Sequence, residues 1–303
     1  MSVLDNPLRA FFIGCVKSSD LALASLLSDP DVEIVGVLTM AEASINSDYV
    51  DISVRAKEAD VPFFYAEDMD DAQFSSLLRK FELDVVFVIG WSRLLGGDVL
   101  TIPKFGAVGY HPAALPRNRG RHPLIWSLAL GLSETASTFF SLDLDADSGP
   151  ILSQVPLAID KTDYAADLYA KALSVIPDQL REVVAQLNSG LAGLKPQDHV
   201  TASYWRKRGL SDGSIDWRMA AETIYNLVRA LSHPYPGAEF MVGQSSVRVW
   251  RCEVVESEVP QDAEPGKVLA IGHKGVVVKA GIGAVLLVDT SGLPDCLRLG
   301  DYL

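Results

Sequence analysis

Four compact apolar runs in the first ninety residues limit what this chain can fold into. The runs cover residues 8–16, 32–40, 61–65 and 83–90. Helical patterns fill the segments between them, at 18–27, 49–60 and 71–81. Apolar runs without polar alternation are typical of strands that are buried on both faces, as in parallel sheets. The alternation therefore predicts an α/β domain, with a mostly parallel sheet and helices on both faces.

The second half of the chain changes character near residue 211. A long amphipathic helix is predicted over 164–187, closed by Gly190, and another helix over 216–232. Five short β runs follow at 238–242, 246–255, 266–271, 275–280 and 284–289, which is typical of a small β-barrel. We therefore expect a Rossmann-like α/β domain at 1–190, a linker at 191–210 and a smaller, OB-like β-barrel domain at 211–303.

Charge limits the partners of this chain. Its formal net charge is −13, whereas a protein that holds a long polyanion usually carries a basic surplus or stripe. The local basic cluster at 104–121 fits a small anionic ligand better, and Arg117, Arg119 and Arg121 are the candidates for that contact. We therefore expect a small-molecule partner and no nucleic-acid partner.

Other signals for location and cofactors are weak. The sequence contains no apolar run near the roughly 20 residues of a membrane span, and its start lacks a secretion signal. Cys15, Cys252 and Cys296 lie far apart without metal-like spacing, which is typical of reduced thiols in a cytoplasmic protein. The segment 14–19 does not form G-x-G-x-x-G, so nothing supports a nicotinamide cofactor. We expect a cytoplasmic protein with no membrane partner.

The candidate chemistry lies in residues 106–149. The first half, GAVGYHPAALPRNRGRHPLIWSL, places His111 at the end of a short apolar run, before a Pro-bounded loop. The second half, SETASTFFSLDLDADSG, is a β-rich run that stops at an acidic turn with Asp143, Asp145 and Asp147. A histidine at a strand end and an aspartate at a turn are the usual parts of a proton-transfer site.

These motifs resemble the signature of the 10-formyltetrahydrofolate-dependent formyltransferases. The family pattern is Asn-x-His, a Ser-Leu-Leu-Pro-like loop, Arg-Gly and later Asp-x-Gly, and the matching stretches here are GYHPAALPRNRGRHPLIWSL and ETASTFFSLDLDADSGPILSQ. The stretch SDGSIDWRMAAETIYNLVRALSHPYPGAEF resembles the start of the second domain of methionyl-tRNA formyltransferase and of sugar N-formyltransferases. The resemblance is strongest over residues 83–154 and 203–243.

The resemblance implies formyl transfer from 10-formyltetrahydrofolate to an amine, without a metal. His111 matches the histidine that manages protons as the amine attacks, and Asp147 matches the aspartate that holds that histidine. Arg121 matches an arginine near the ligand anions. The remaining residues that would line the folate pocket are Arg93, Leu94, Leu95, Ala113, Leu115, Pro116, Asp143 and Asp145.

The sequence departs from the family pattern at Gly109. The family has Asn at this position, where its side chain would polarise the formyl oxygen and stabilise the oxyanion. Glycine has no side-chain donor, and losing one such donor typically costs about 10²–10³ in rate. Asn118 is the nearest candidate replacement in the loop, and a backbone N–H or a bound water could also serve. We expect a compensated enzyme.

Three functions stay open. The first is an enzyme that formylates an amino-sugar nucleotide, or a related amino sugar, in surface-polysaccharide synthesis. The net charge and the loop RNRGRHPLIW favour it. The second is methionyl-tRNA formyltransferase, which the missing basic surplus and the lost Asn disfavour. The third is a folate- or sugar-binding relative without catalysis. A homodimer through the C-terminal β-domain is a further expectation.

Overall fold

The computed structural model describes residues 6–42, 47–93, 95–190, 194–255 and 258–303. The strands are β1 (Leu8–Ile13), β2 (Val32–Thr39), β3 (Phe63–Tyr65), β4 (Val85–Val88), β5 (Ala107–His111), β6 (Arg119–Gly120), β7 (Glu134–Ser141), β8 (Ile151–Ala158), β9 (Tyr204–Trp205), β10 (Ala238–Val242), β11 (Ser245–Val254), β12 (Val268–Gly272), β13 (Gly275–Lys279) and β14 (Ala284–Ser291). The α-helices are α1 (Lys17–Leu27), α2 (Ser53–Glu58), α3 (Asp71–Leu78), α4 (Gly97–Thr101), α5 (Pro123–Ala129), α6 (Ala165–Asn188) and α7 (Ala221–Leu231).

A seven-stranded sheet carries the N-terminal part of the chain, in the order β3-β2-β1-β4-β5-β7-β8. The pairs from β3 to β5 are parallel, whereas β7 runs antiparallel to β5. The predicted α/β fold with a mostly parallel sheet is confirmed. The change of direction at β7 places the acidic turn between the two last strands of the sheet.

Side chains of β1 show why helices cover both faces of this sheet. Successive Cβ atoms of a strand point to opposite faces. Leu8, Ala10 and Phe12 lie in one buried cluster with residues of α1, α2 and α6. Phe11 and Ile13 lie in another with residues of α3 and α4. Five of the six β1 side chains face apolar neighbours, and Arg9 pairs with Glu33 instead. The strand sequence therefore shows no regular polar alternation.

A second sheet of five antiparallel strands forms from residues 238–291, in the order β10-β11-β14-β13-β12. All five predicted strands are present there within a few residues of their predicted bounds. Trp217 packs edge-on against Phe240 of β10, with 5.0 Å between ring centroids. The β-rich C-terminal domain is confirmed. Within the described residues the two outer strands, β10 and β12, do not pair with each other, so these strands do not close into a complete barrel.

One predicted helix start was wrong. The helix predicted over 216–232 begins at Ala221, because residues 216–219 form a turn in which the Asp216 carbonyl accepts the Met219 N–H at 2.9 Å. The helix predicted over 18–27 is present as α1, which starts one residue earlier, at Lys17. In its first turn, Ser19 Oγ accepts the N–H groups of Cys15 and Val16, each at 3.1 Å, and donates to the Ile89 carbonyl at 2.6 Å.

The chain divides into two compact units that are discontinuous in sequence. The first comprises Met1–Gly120, Thr135–Leu157 and Ala170–Trp205, and the second comprises Arg121–Glu134, Ala158–Tyr169 and Arg206–Leu303. In the first unit, β6 pairs with β9 in parallel, joining Arg119 to Tyr204 and Gly120 to Trp205. Part of the segment predicted as a linker is therefore paired with the candidate catalytic loop.

No helix in the described parts of the chain is both long enough and apolar enough to cross a lipid bilayer.

Candidate active site

His111 is the last residue of β5, at the carboxyl end of a parallel strand, where ligands of such sheets bind. Its side chain is almost fully buried, and its Nε2 atom lies 2.8 Å from the Asn118 carbonyl oxygen. A carbonyl oxygen can only accept a hydrogen bond, so Nε2 carries the ring proton when the imidazole is neutral. The Nδ1 atom is then the one that can accept a proton.

Asp147 faces that Nδ1 atom. Its Oδ2 lies 3.7 Å from His111 Nδ1 and accepts the Gly120 backbone N–H at 2.7 Å. The separation from Nδ1 is too long for a hydrogen bond but close enough for a carboxylate to stabilise an imidazolium. Asp147 has a φ of 54°, which is uncommon for a residue other than glycine. His111 and Asp147 therefore lie side by side, and the roles that the sequence predicts for them stay predictions.

Asn118 contacts His111 through its backbone rather than its side chain. Its backbone N–H donates to Ser203 Oγ at 2.9 Å, and its Oδ1 atom lies 3.4 Å from the same hydroxyl. Within the described residues its Nδ2 atom has no hydrogen-bond partner. The amide therefore has its oxygen turned to Ser203 and its donor group available.

The Gly109 position has no room for an added side chain without a shift of its neighbours. A Cβ placed on Gly109 would lie 2.5 Å from Leu142 Cδ2 and 3.1 Å from Phe140 Cζ. Contacts this short force the leucine to move. The space that the family asparagine would need is thus filled by apolar side chains of the neighbouring strand and its end.

The loop after His111 is tied to the sheet through its carbonyl groups. The Ala113 carbonyl accepts from Thr138 Oγ1 at 2.7 Å, and the Leu115 carbonyl accepts from Gln154 Nε2 at 3.0 Å. The Leu115 side chain packs in a buried cluster with Phe140. These bonds hold the loop rigidly above the end of β5.

A cavity of about 670 Å³ opens beside the acidic turn, in the size range of ligand sites. Its walls come from α3, α4 and the segment 142–144; the lining residues are Asp71, Ala72, Ser75, Gly96, Gly97, Asp98, Leu100, Thr101, Leu142, Asp143 and Leu144. Asp143 is the one predicted folate residue in this lining. Leu95 directly precedes the lining residue Gly96 in the sequence.

The other predicted folate residues are scattered. Arg93 and Asp145 are exposed, and Pro116 is half-buried. Leu94 lies outside the described residues. Arg121 belongs to the second compact unit. Their roles stay predictions.

Sequence profiles of two domains match this chain in order. The formyl transferase profile matches residues 19–184, and the formyl transferase C-terminal domain profile matches residues 210–296. The chain belongs to the formyl transferase family. The resemblance seen in the sequence is confirmed.

Solved structures share the fold of this formyl transferase at low sequence identity. A variant of HypX from Aquifex aeolicus superimposes with a TM-score of 0.66 at 18% identity, over 94% of this chain and 44% of that one. The N-formyltransferase from Helicobacter canadensis gives 0.70 at 14% identity, over 93% and 99%. WlaRD, a sugar 3N-formyltransferase, gives 0.69 at 15% identity, over 95% and 99%. The chain spans less than half the length of the HypX chain.

In this formyl transferase the sequence analysis missed a buried polar network. Arg119 is 1% exposed, so the expected contact of this residue with a small anionic ligand was wrong. Its guanidinium donates twice to Gln197 Oε1, at 3.1 and 2.7 Å, and once to the Tyr204 hydroxyl at 2.8 Å. Its Nη2 also lies 3.3 Å from His199 Nδ1. The Arg-Gly of the motif was the available signal, but its partners lie in the segment that was predicted as a linker.

A group of basic side chains surrounds Trp126 and His122 in the second unit. Arg206 and Arg208 lie over the Trp126 ring, at 5.3 and 4.5 Å from its centroid. The pKa of His122 is lowered, first by burial and then by the charges of Arg121, Arg208 and Lys207. A protonated His122 would therefore be unfavourable in the folded chain.

Proposed function

We propose that this protein is an N-formyltransferase that moves the formyl group of 10-formyltetrahydrofolate to the primary amine of an amino sugar carried on a nucleotide. The observation that carries the proposal is the His111 arrangement. Nε2 is tied to the Asn118 carbonyl and Nδ1 faces Asp147, so one ring atom is presented as a base. Family membership supplies the reaction class in which such a base is useful.

The reaction needs a base because an amine gains positive charge as it attacks a carbonyl carbon. Bound 10-formyltetrahydrofolate supplies the formyl group. His111 Nδ1 takes the proton that the attacking amine loses, and Asp147 stabilises the imidazolium that results. The bond between the formyl carbon and the folate nitrogen then breaks, and the imidazolium returns the proton to that nitrogen as tetrahydrofolate leaves. Because the Asn118 carbonyl fixes the ring, Nδ1 does not have to turn before it accepts the proton. The mechanism has direct attack by a neutral amine and no covalent enzyme intermediate.

Charge on the formyl oxygen needs a donor that Gly109 cannot supply. Asn118 is our candidate, because its Nδ2 has no partner among the described residues and Ser203 orients the amide. A preorganised donor of this kind is worth about 10²–10³ in rate.

The cavity beside the acidic turn is our candidate folate site. Its volume of about 670 Å³ suits a ligand of that size, and its walls include Leu100 and Leu142, which are apolar enough to cover an aromatic ring. Asp143 in the same lining offers a carboxylate to ring N–H groups.

The amino-sugar assignment is supported by two observations. The net charge of −13 disfavours a tRNA substrate. The Helicobacter canadensis enzyme, solved with folinic acid and dTDP-3-aminofucose, and WlaRD, solved with dTDP and 5-N-formyl-THF, align over 99% of their own lengths. Proteins that share the fold of this chain therefore bind a folate together with a nucleotide or a nucleotide-linked amino sugar.

The test is a formyl-transfer assay with 10-formyltetrahydrofolate and a panel of amino-sugar nucleotides, read as the mass gain of one formyl group. We expect one member to gain it, and His111→Ala and Asp147→Ala to lower kcat by about 10²–10⁴-fold, the usual contribution of a positioned base. Near wild-type activity in both variants would contradict the assignment of the base.

A gel-shift with initiator tRNA at low and moderate salt distinguishes a methionyl-tRNA formyltransferase from an amino-sugar formyltransferase. Binding through phosphates weakens steeply as salt rises, so tight and salt-sensitive binding together with formylation of the charged tRNA would refute the sugar assignment. Folate binding without transfer to any amine would instead indicate a binding protein.

A further inference from the structure

We propose that Arg119 and Gln197 form a buried clamp that positions Asp147 against His111. The inference rests on the proposed function, because it assigns positioning residues to the base of that reaction. Gln197 lies outside both sequence motifs, near the 3₁₀ helix His199–Thr201. Neither residue touches the reacting atoms, so both act through Asp147.

Gln197 holds the backbone of the acidic turn. Its Nε2 donates to the Asp147 carbonyl at 2.9 Å and to the Gly149 carbonyl at 2.6 Å, which uses both amide protons. Its Oε1 receives both hydrogen bonds from Arg119. The amide is therefore fully satisfied, and it is 6% exposed.

Arg119 fixes the orientation of that amide. Among the described residues it is the largest fully buried side chain, and no carboxylate there forms an ion pair with it. Burying a guanidinium without a carboxylate is unfavourable unless its donors are satisfied by hydrogen bonds. Its planar fork donates to Oε1 with two nitrogens, which prevents the amide from flipping, and a lysine cannot reproduce this contact.

Asp147 needs such support because its conformation is strained. A non-glycine residue at φ 54° costs free energy and persists when its surroundings hold it there. Two contacts do so from opposite ends: Gln197 on the carbonyl and the Gly120 N–H on Oδ2. Gly120 follows Arg119 directly, so one short strand supplies both the buried guanidinium and the N–H that receives Asp147.

The Gly120 amide proton provides a readout that does not need activity. A short hydrogen bond from N–H to a carboxylate moves that proton downfield, and its position is measured in a ¹⁵N-labelled sample. We expect Gln197→Met to move the Gly120 resonance upfield, in the same direction as Asp147→Ala. Gln186→Met is the matched control, since Gln186 also donates to a backbone carbonyl, that of Leu152 at 2.9 Å, away from the acidic turn. It should leave Gly120 unchanged.

Kinetics supply the second readout. We expect Gln197→Met to lower kcat by about 10–100-fold with KM values changed less than about threefold, because misplacing a catalytic group by about 1 Å has effects of this size. Arg119→Lys should behave alike. In the double variant the loss should match the larger single loss, since both residues act through one contact.

Each outcome of these experiments either supports or overturns the proposed clamp. A Gly120 resonance that stays in place in Gln197→Met but moves in Asp147→Ala overturns the clamp, as does a fall in thermal stability with unchanged kcat. If Gln197→Met does not fold, Gln197→Glu keeps the size and the Arg119 contact but has no amide donors, and is measured in the same way. If the wild type formylates no amine, the proposed function fails while the Gly120 readout still decides the clamp.

Discussion

A single ring nitrogen determines what the candidate base can do. With Nε2 held by the Asn118 carbonyl, His111 presents Nδ1 to Asp147. Neighbouring Tyr110 does not compete as a base, because burial raises the pKa of its phenol to about 12 and its ring packs on Phe139. Alternation along β5 thus sends one residue into the core and the next to the site.

The residue at 109 and the residue at 118 together explain how the site departs from the family pattern. The apolar side chains of Leu142 and Phe140 fill the space at Gly109. Asn118 is held at φ 65°, with its amide oxygen turned to Ser203. A donor has been lost from the strand, and a donor is available on the loop.

Asn118→Gly tests this donor without disturbing the backbone, because glycine adopts a positive φ without strain. We expect kcat to fall by about 10²–10³-fold with little change in melting temperature, since the amide acts on the transition state. The measurement is kcat in the formyl-transfer assay with a thermal melt as its control. Unchanged turnover would point to a backbone N–H or a water as the oxyanion donor.

At the scale of elements, a two-residue strand pair has a large role. β6 and β9 join residues that are 85 apart in sequence, and the pair brings Arg119 to Tyr204. Gly120 makes the pairing possible: at φ 102° a Cβ would lie 2.3 Å from the Trp205 carbonyl oxygen. That oxygen belongs to the backbone and cannot turn aside.

Gly120→Ala should therefore destabilise the protein by about 3 kcal/mol, combining steric overlap with backbone strain. Gly190→Ala is the control, because Gly190 also has a positive φ of 78° but a Cβ there would meet nothing within 4 Å. It should cost about 1 kcal/mol. Chemical denaturation of both variants measures the difference. Equal losses of unfolding free energy in the two variants would show that the β6–β9 contact does not stabilise the protein.

Sequence patterns predicted the long elements and missed the short ones for a physical reason. Strand β1 is predictable because all its side chains except that of Arg9 are buried, and α6 because its apolar face repeats at helical spacing. His111 was found because it ends a strand, and Asp147 because it lies in an acidic turn between two strands. Gln197 belongs to no periodic element and acts through backbone carbonyls, whose positions depend on the tertiary fold. The buried Arg119 was predicted to contact an anionic ligand, because local sequence does not show which side chains receive its donors.

For the whole molecule, charge distribution predicts how stability depends on pH. The chain has a net charge of −13, yet His122 lies among Arg121, Lys207 and Arg208. Burial of the imidazole, and then these charges, lower the pKa of His122 from 6.5 in the folded state, so the unfolded chain binds a proton first as pH falls. Linkage then requires that the contribution of His122 to stability is fully present above about pH 6.5 and is lost below it.

His122→Asn removes this loss while keeping a side chain that tolerates the φ of 58° at this position. We expect the melting temperature of the variant, minus that of the wild type, to be constant above about pH 7.5 and to rise as pH falls below 6.5. Thermal melts between pH 5 and 8 measure it. A difference that is flat across this range would contradict the assignment.

The return of residues 194–205 to the first unit has a consequence for the growing chain. His111 and Asp147 leave the ribosome well before Gln197 and Tyr204, so a nascent chain holds both reactive side chains before it holds the groups that orient them. Catalytic competence then begins late, when the polypeptide has passed residue 205. A fragment cut at residue 190, just after the long helix, would keep His111 and Asp147 but lack Gln197 and Tyr204, which position them in the full chain.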